Sequence, residues 1–321
     1  MTWGYDVIPV RRALATLLSA LLVTGAAACS DSADDSVTRL EVGVVPVIDV
    51  APLYLGIAKG FFSSRKLEVT PKPSQGGSII IAAVVAGSQR IGFSNNTSLL
   101  IATAKGLPLR IVAAGNQASE GDYAAVFAPG DSAIGSPADL AGKSIAVNNL
   151  NNVGPLSINA ALQASGVDIA RIKYVEIPFP DMAAALAQRR VDAVFAVEPF
   201  ASAIKAAGDA KLVLRPYPLV APHFPVASYF TSESFAASDP DVVDRFRQGM
   251  NESLAYAQSH PDEVRGILPN YVKLTPEVAA RVVLPEWSTD VGAPLLRRTA
   301  ELALKYGYLK TVPDVTRLVG G

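Results

Sequence analysis

The chain is poor in the residues from which catalytic and metal sites are usually built. Its 321 residues include one cysteine, Cys29, and two histidines, His223 and His260. A single cysteine excludes an intramolecular disulfide and a thiolate metal cluster, and two histidines argue against a multi-histidine metal site. The sequence also lacks an H-E-x-x-H motif and a phosphate-binding loop. We therefore expect no catalytic residues, no metal and no cofactor.

Charge is scarce as well. Charged residues make up 18% of the chain, and 28 basic residues against 29 acidic ones leave a net charge of −1. This balance gives no electrostatic attraction to nucleic acid, so we expect no nucleic-acid partner. Half of the residues (50%) are hydrophobic, with 24 glycines and 23 prolines. That composition suits one or two globular α/β domains with a sizeable core.

The N-terminal residues have the pattern of an export signal. Arg11 and Arg12 precede an apolar run over residues 13–28, which ends in three alanines before Cys29. The order of basic, apolar and small residues predicts a signal peptide over residues 1–28. The run is about 16 residues long, whereas a membrane span needs about 20. We expect residues 29–39, which are rich in serine and aspartate, to form a flexible polar tether.

The alanines before Cys29 resemble the bacterial lipobox, in which the chain is cut before a cysteine that is then lipidated. Ala26 occupies the position where that pattern usually has leucine. The resemblance implies a protein outside the cytoplasm, anchored to the outer face of the cell membrane through lipidated Cys29. The alternative is ordinary cleavage, which leaves Cys29 as a free thiol or removes it.

The body of the chain is organised around residues 40–62. Leu40 to Val45 has the apolar, β-branched composition of a strand, and apolar residues recur at helical spacing from Ala51 to Phe62. Asp49 lies in the connection between them. The same alternation of strand and helix continues to residue 197, which predicts an α/β fold with mostly parallel sheets. Ligands of such folds bind beyond the carboxyl ends of the strands.

A weak internal repeat indicates two lobes. Residues 83–93 match residues 185–195 in pattern, at an offset of about 102 positions. The offset places Asn96 opposite Glu198. We interpret the repeat as two lobes of similar build that face each other.

Six ordered blocks carry a resemblance to a known family. They are APLYLGIAKGFF, GGSIIIAAVVAG, IGFSNNTSLLIATAKGLPL, DLAGKSIAVN, ALAQRRVDAVFAVEPF and YFTSESFAASDPDVVDRF. In this order and spacing the chain resembles the nitrate/sulfonate/taurine-binding family of ABC-importer solute receptors, which includes receptors for the thiamine pyrimidine precursor. The resemblance covers residues 40–318.

The resemblance implies a two-lobed periplasmic-binding-protein fold of type II with a ligand cleft between the lobes. Two crossover segments are expected near Tyr123 to Ala128 and near Val226 to Thr231. Lobe 1 is expected to contain residues 40–122 and 226–321, and lobe 2 residues 123–225. The implied function is capture of a small organic solute (a sulfonate, a nitrate-like anion or a pyrimidine-type nutrient) by lobe closure. The implied partners are an ABC permease and its ATPase, and we expect the receptor itself to be a monomer.

Helix N-termini are the first candidate ligand contacts, because their unpaired N–H groups suit polar or anionic ligands. A plain turn at the glycines, helix capping by the asparagines and a solvated loop at residues 149–154 remain the alternatives. The predicted contacts at these termini are Gly77, Ser78, Asn95, Asn96, Thr97, Asn149 and Asn152.

Two acids and one tyrosine complete the predicted site. If Asp49 and Glu198 reach the cleft, they favour a ligand with amine, amidine or hydroxyl donors. None of the predicted cleft loops contains arginine or lysine, which argues against nitrate or a simple sulfonate. Tyr229 is a candidate stacking residue. The alternatives are an N-cap role for Asp49 and core packing for Tyr229.

Two other functions remain open. Thiamine-precursor synthases and a menaquinone-pathway dehydratase resemble these receptors, but they act in the cytosol, and the export signal disagrees with that location. A receptor that presents its closed form to a signalling partner has the same fold and differs only in its partner.

Overall fold

The computed structural model of the chain describes Met1 and residues 36–121 and 123–320. The predicted signal peptide, Cys29 and the first part of the predicted tether lie outside these residues. The tether was expected to extend to residue 39, but the first strand already begins at Thr38.

The described residues form ten strands in two sheets. The strands are β1 (Thr38–Val44), β2 (Leu67–Pro73), β3 (Ile91–Asn95), β4 (Leu109–Gln117), β5 (Ala124–Pro129), β6 (Ser144–Val147), β7 (Lys173–Glu176), β8 (Ala193–Val197), β9 (Ala210–Leu214) and β10 (Pro225–Ser232).

Helices cover the sheets and connect their strands. Those of the described residues are α1 (Ala51–Ala58), α2 (Gly77–Val85), α3 (Asn96–Ala104), α4 (Val153–Ala164), α5 (Phe179–Ala187), α6 (Phe200–Ala207), α7 (Pro216–Val220), α8 (Glu233–Ser238), α9 (Pro240–Ser259), α10 (Pro261–Ile267), α11 (Pro276–Arg281), α12 (Ala293–Lys305) and α13 (Val315–Val319). Within this part of the chain, no helix combines the length and the hydropathy that crossing a membrane requires.

The two sheets have the same topology. The first sheet has the order β2-β1-β3-β10-β4 and the second the order β7-β6-β8-β5-β9. In the first, β1 pairs in parallel with β2 and β3, and β10 is antiparallel to both of its neighbours. In the second, β6 pairs in parallel with β7 and β8, and β5 is antiparallel to both neighbours. The predicted α/β fold with two lobes of similar build is confirmed, and each sheet contains one antiparallel strand.

The chain crosses between the sheets slightly before the predicted positions. It leaves the first sheet after Gln117 and enters the second at Ala124, then leaves the second after Leu214 and returns at Pro225. The ranges expected to be crossovers, near residues 123–128 and 226–231, are largely strands β5 and β10. Both runs are apolar and pair with a strand on each side, which explains their place inside the sheets. The division into lobes at residues 122 and 225 stays a prediction.

The returning C-terminal helices pack on the first sheet. Phe246 and Met250 of α9 are fully buried, as expected from their spacing on one helix face. The ring of Phe246 stacks on Phe62 at 5.6 Å and meets Tyr229 edge-on at 5.8 Å. These contacts join the strand that returns to the first sheet to the helix that covers it.

Candidate functional site

A small cavity lies where the carboxyl ends of the strands of both sheets meet. Its volume is about 50 Å³, enough for only a few water molecules at about 10–15 Å³ each on this measure. Among the described residues that line it, none is basic. The lining residues are Val45, Val47, Asp49, Gly77, Phe93, Asn95, Asn148, Asn152, Val153, Phe179, Phe195, Val197, Tyr217, Val226 and Ala227.

Asp49 is the carboxylic acid among the described residues that line this cavity. It lies in a 3-10 helix, Ile48–Val50, that leads from β1 into α1. The N-cap residue of α1 is Val50, and no side chain caps this helix. The alternative role of Asp49 as the helix cap is therefore wrong. The side chain is 6% exposed, and its Oδ1 has no hydrogen-bond partner among the described residues.

Burial changes the ionisation of Asp49. Loss of solvation raises its pKa from 3.8 to about 7, and hydrogen bonds from its own backbone and from Asn116 lower the pKa only in part. A buried carboxylate with an unpaired oxygen costs free energy. The cavity is therefore suited to a ligand that donates a hydrogen bond to Asp49.

Four tyrosines surround Asp49 closely enough for its charge to affect them. Burial, and to a lesser extent the charge of Asp49, raise the pKa of Tyr123, Tyr217, Tyr229 and Tyr271 well above the ordinary value. Their phenol groups therefore stay protonated at neutral pH. Asp49 is the group of this cluster that titrates near neutrality.

Asn116, at the end of β4, belongs to the same cluster. It is 2% exposed, and its Nδ2 donates to the Oη of Tyr123 at 3.2 Å. Its Oδ1 and the Oη of Tyr229 are buried without a partner among the described residues. Since native proteins satisfy nearly all buried polar atoms, the unpaired oxygens of Asp49, Asn116 and Tyr229 mark this cluster as the candidate site.

Three helices begin at the cavity, as the sequence suggested. The side chain of Asn95 caps α3 by accepting from Ser98 N at 2.9 Å, and that of Asn152 caps α4 by accepting from Gly154 N at 2.7 Å. Capping and a place in the cavity lining coexist at both residues. Helix α2 begins at Gly77 after Gly76, which provides no side-chain cap.

Gly77 also has a packing reason for lacking a side chain. A Cβ there would lie 2.1 Å from the Oγ of Ser94, so only glycine allows α2 to approach β3 this closely. A Cβ at Gly76 would have more space. Its nearest neighbours would be the side-chain nitrogens of Asn148 and Asn149, each 4.0 Å away.

Hydrogen bonds between the two sides of the cleft lie beside the cavity. Asn149 Nδ2 donates to Ser78 Oγ at 2.8 Å, and Ser98 Oγ donates to the carbonyl of Asn151 at 2.8 Å. Asn95 Oδ1 also accepts from Val153 N at 3.3 Å. Ser78 and Asn149, predicted as ligand contacts, thus bond to each other and are not part of the cavity lining.

Glu198 is fully buried but lies outside the cavity lining. Its carboxylate accepts from Ser202 N at 2.9 Å, Ser202 Oγ at 2.8 Å and Val283 N at 3.2 Å. Its carbonyl accepts from Ile48 N at 2.9 Å. Burial raises the pKa of this carboxyl although these donors lower it. The residue joins the second sheet to segments that pack on the first.

The remaining predicted contacts lie behind the lining. Asn96 donates from Nδ2 to the carbonyl of Pro225 at 3.0 Å, and Thr97 is fully buried with its Oγ1 unpaired among the described residues. Tyr229 packs on Phe93 at 5.1 Å. Of the ten predicted contacts, the structure brings Asp49, Gly77, Asn95 and Asn152 together at the cavity.

The sequence interpretation missed Asn116, Asn148 and three of the four tyrosines near Asp49, namely Tyr123, Tyr217 and Tyr271; it did name the fourth, Tyr229. Asn116 follows a buried apolar strand in the same way as Asn95, and that position was a usable signal. Tyr123 and Tyr217 flank the crossings between the sheets, where no local pattern marks a site.

Known proteins resemble this chain in sequence and in fold. A family model described as NMT1/THI5 like matches residues 47–264. The chain is 26% identical over 228 residues to the riboflavin-binding protein RibY of Chloroflexus aurantiacus, a match that covers 70% of this chain and 63% of that protein. The chain therefore spans less than two thirds of the length of this curated relative.

Solved structures show the fold. The alkanesulfonate-binding protein SsuA of Xanthomonas axonopodis pv. citri, bound to MOPS, is similar with a TM-score of 0.76 and 21% identity, over 88% of this chain and 98% of that one. The periplasmic nitrate-binding protein NrtA of Synechocystis PCC 6803 is similar with a TM-score of 0.72 and 15% identity, over 87% and 84%. The expected periplasmic-binding-protein fold is confirmed.

Replacement of Asp49 by Asn is predicted to stabilise the protein at high pH. An acid whose pKa is higher in the folded state makes stability fall as pH rises from about 4 to about 7. The difference between a pKa of 3.8 and one of about 7 corresponds to about 4 kcal/mol of folding free energy above pH 7. Urea unfolding at pH 4, 6 and 8 measures the free energy of unfolding. The wild type should be less stable than Asp49→Asn by an amount that grows with pH. The exposed control Asp209→Asn should have the same stability as the wild type at each pH. Equal pH dependence of Asp49→Asn and the wild type would contradict this assignment.

Replacement of Glu198 by Gln is predicted to destabilise the fold by about 1–3 kcal/mol, because one acceptor becomes a donor that faces buried donors. Thermal unfolding measures the loss. The exposed Glu68→Gln is the control and should change stability by less than about 0.5 kcal/mol. A Glu198→Gln variant as stable as the wild type would show that the three hydrogen bonds contribute little.

Proposed function

Because the chain belongs to the NMT1/THI5-like family, we propose that it is the extracytoplasmic receptor of an ABC importer. It captures a small organic solute in the cleft between its lobes and delivers it to a permease and its ATPase. The periplasmic-binding-protein fold and the placement of helix N-termini at the cleft support this function. The ligand favours lobe closure only to the extent that it binds the closed state more tightly than the open state.

The unpaired carboxylate oxygen of Asp49 carries the proposal for the ligand class. Asp49 lines a cavity whose described lining contains no basic residue, so an anion finds a carboxylate there and no counter-charge. A ligand with N–H donors satisfies the oxygen and stabilises the ionised acid. We propose a neutral or cationic heterocycle, such as a pyrimidine-type nutrient, held by Asp49, Gly77, Asn95 and Asn152. The riboflavin-binding relative supports a nitrogen heterocycle.

A second candidate is a sulfonate or nitrate-like anion. The start of α2, which has no side-chain cap, offers N–H groups and a partial positive charge. In that case Asp49 binds no ligand donor and has to be protonated when the anion is bound. The alkanesulfonate- and nitrate-binding neighbours share the fold at low identity and do not decide between the two classes.

The pH dependence of binding separates the two classes. Asp49 has a pKa of about 7, so it is mostly neutral at pH 6 and mostly ionised at pH 8. The affinity for an N–H donor should rise over this interval by up to roughly tenfold, about 1.4 kcal/mol. The affinity for an anion should fall instead. Titration calorimetry of the full-length protein measures these affinities at both pH values. The solutes are uracil, an aminopyrimidine, riboflavin, nitrate and a sulfonate.

Asp49→Asn is the matched variant for the same titration. It should remove the pH dependence in either case, because the surrounding tyrosines do not titrate in this range. A donor ligand whose affinity falls with pH, or a variant with unchanged pH dependence, would remove Asp49 from the site. Binding of none of the five solutes would contradict the proposed ligand classes.

We further propose that the receptor is held at the outer face of the membrane through lipidated Cys29. The three preceding alanines and the basic and apolar residues before them support this. Cys29→Ala should move the full-length protein from the membrane fraction to the soluble fraction, as seen by immunoblotting. Ser30→Ala is the control and should stay with the membrane. Membrane association of Cys29→Ala would contradict lipid anchoring.

A further inference from the structure

A second, larger cavity adjoins the one at Asp49. Its volume is about 750 Å³, and it shares Val45 and Phe179 with the smaller cavity. We call it the vestibule. It is formed by the segments after β1 and β2 on the side of the first sheet and by α5 and α6 on the side of the second. The two cavities are therefore neighbouring compartments of one cleft.

The walls of the vestibule are mainly apolar and partly rigid, and the charged residues Asp181 and Lys273 also line it. Four of its lining residues are prolines, Pro46, Pro73, Pro178 and Pro180. Proline fixes φ and has few conformations to lose, so these walls can bind a ligand without a large ordering cost. The arrangement favours a rigid, planar ligand surface.

Two stacked aromatic pairs border the vestibule from opposite sides. Phe179 and Phe200, both in its lining, stack at 5.9 Å with an angle of 13° between their planes. Tyr271 lines the other side and stacks on Tyr54 at 4.0 Å with an angle of 5°. Aromatic faces at these positions provide stacking partners for further rings.

We call the smaller cavity, which Asp49 lines, the inner compartment. Its size determines how much of a ligand it can hold. About 50 Å³ accepts the edge of a heterocycle but not a molecule of several rings. The vestibule, at about 750 Å³, is within the range of about 300–1,000 Å³ in which sites for drug-sized molecules fall. A ligand whose edge bonds to Asp49 must extend past Phe179 into this space.

We propose that the ligand is a fused polycyclic heteroaromatic compound, whose N–H edge bonds to Asp49 while its outer rings lie in the vestibule between Phe200 and Tyr271. This inference rests on the proposed receptor function and adds the size and shape of the solute. A single-ring nutrient fills only the inner compartment and leaves the apolar walls of the vestibule in contact with water.

Two probes with the same hydrogen-bonding edge test the proposal. Uracil has one ring, and lumichrome presents the same C(=O)–NH–C(=O)–NH edge on three fused rings. Calorimetry of the full-length protein should give at least tenfold tighter binding for lumichrome. Lumichrome binding that is equal to or weaker than uracil binding would overturn the proposal, as would binding of neither.

Ala203→Trp blocks the vestibule without disturbing the core. Ala203 lies on α6, is exposed and lines the vestibule. The variant should weaken lumichrome binding at least tenfold and leave uracil binding unchanged. Ala206→Trp, at an exposed position on the same helix outside the lining, is the control and should leave both unchanged. Unweakened lumichrome binding in Ala203→Trp would overturn the use of the vestibule.

The outcomes of these experiments distinguish a failure of this inference from a failure of the proposed receptor function. If uracil binds and Asp49→Asn weakens it while lumichrome gains nothing, the receptor with its donor-binding cavity stands and the vestibule proposal falls. If a long-chain alkanesulfonate binds in place of both heterocycles and Ala203→Trp weakens it, the vestibule holds an aliphatic tail and the polycyclic ligand is wrong.

Discussion

The burial of one carboxyl group governs the candidate site. Asp49 lies at the cavity where both sheets end, close to four tyrosines and Asn116, and one of its oxygens has no partner among the described residues. Proteins rarely leave a buried acid in this condition without a use for it. A ligand that donates to this oxygen supplies the missing hydrogen bond, so the cost of burying Asp49 in the free protein becomes part of the discrimination between solutes.

In the proposed function, the same surroundings couple closure to binding. The side chains that link the two sides of the cleft, such as Asn149 to Ser78 and Ser98 to the carbonyl of Asn151, lie beside the cavity. Glu198 adds a buried connection between the second sheet and Val283. These bonds connect the two sides of the cleft around a space that is too small for a molecule of several rings. The ligand contributes the remaining contacts, and its shape determines whether the larger vestibule is filled.

The sequence predicted the fold more completely than the site, for a physical reason. Alternating strands and helices, the apolar run at Leu40 to Val45 and the repeat that aligns β3 with β8 are local signals, and they were enough to predict the α/β fold and its two similar lobes. Asp49, Gly77, Asn95 and Asn152 follow or precede such elements and were identified in the same way. Asn116, Tyr123 and Tyr217 reach Asp49 only through tertiary packing. Glu198 was chosen because it directly follows the last strand before the PF dipeptide, but its partner Val283 comes from a distant segment that no local pattern connects to it.

The most direct test of the account is infrared difference spectroscopy of the full-length protein at pH 6, with and without uracil. At this pH Asp49 is mostly protonated, because its pKa is about 7. A donor ligand should ionise it and remove a carboxylic-acid C=O band, and Asp49→Asn should lack that change. Uracil binding with no loss of a carboxylic-acid band, or with the same loss in Asp49→Asn, would contradict the central role of Asp49.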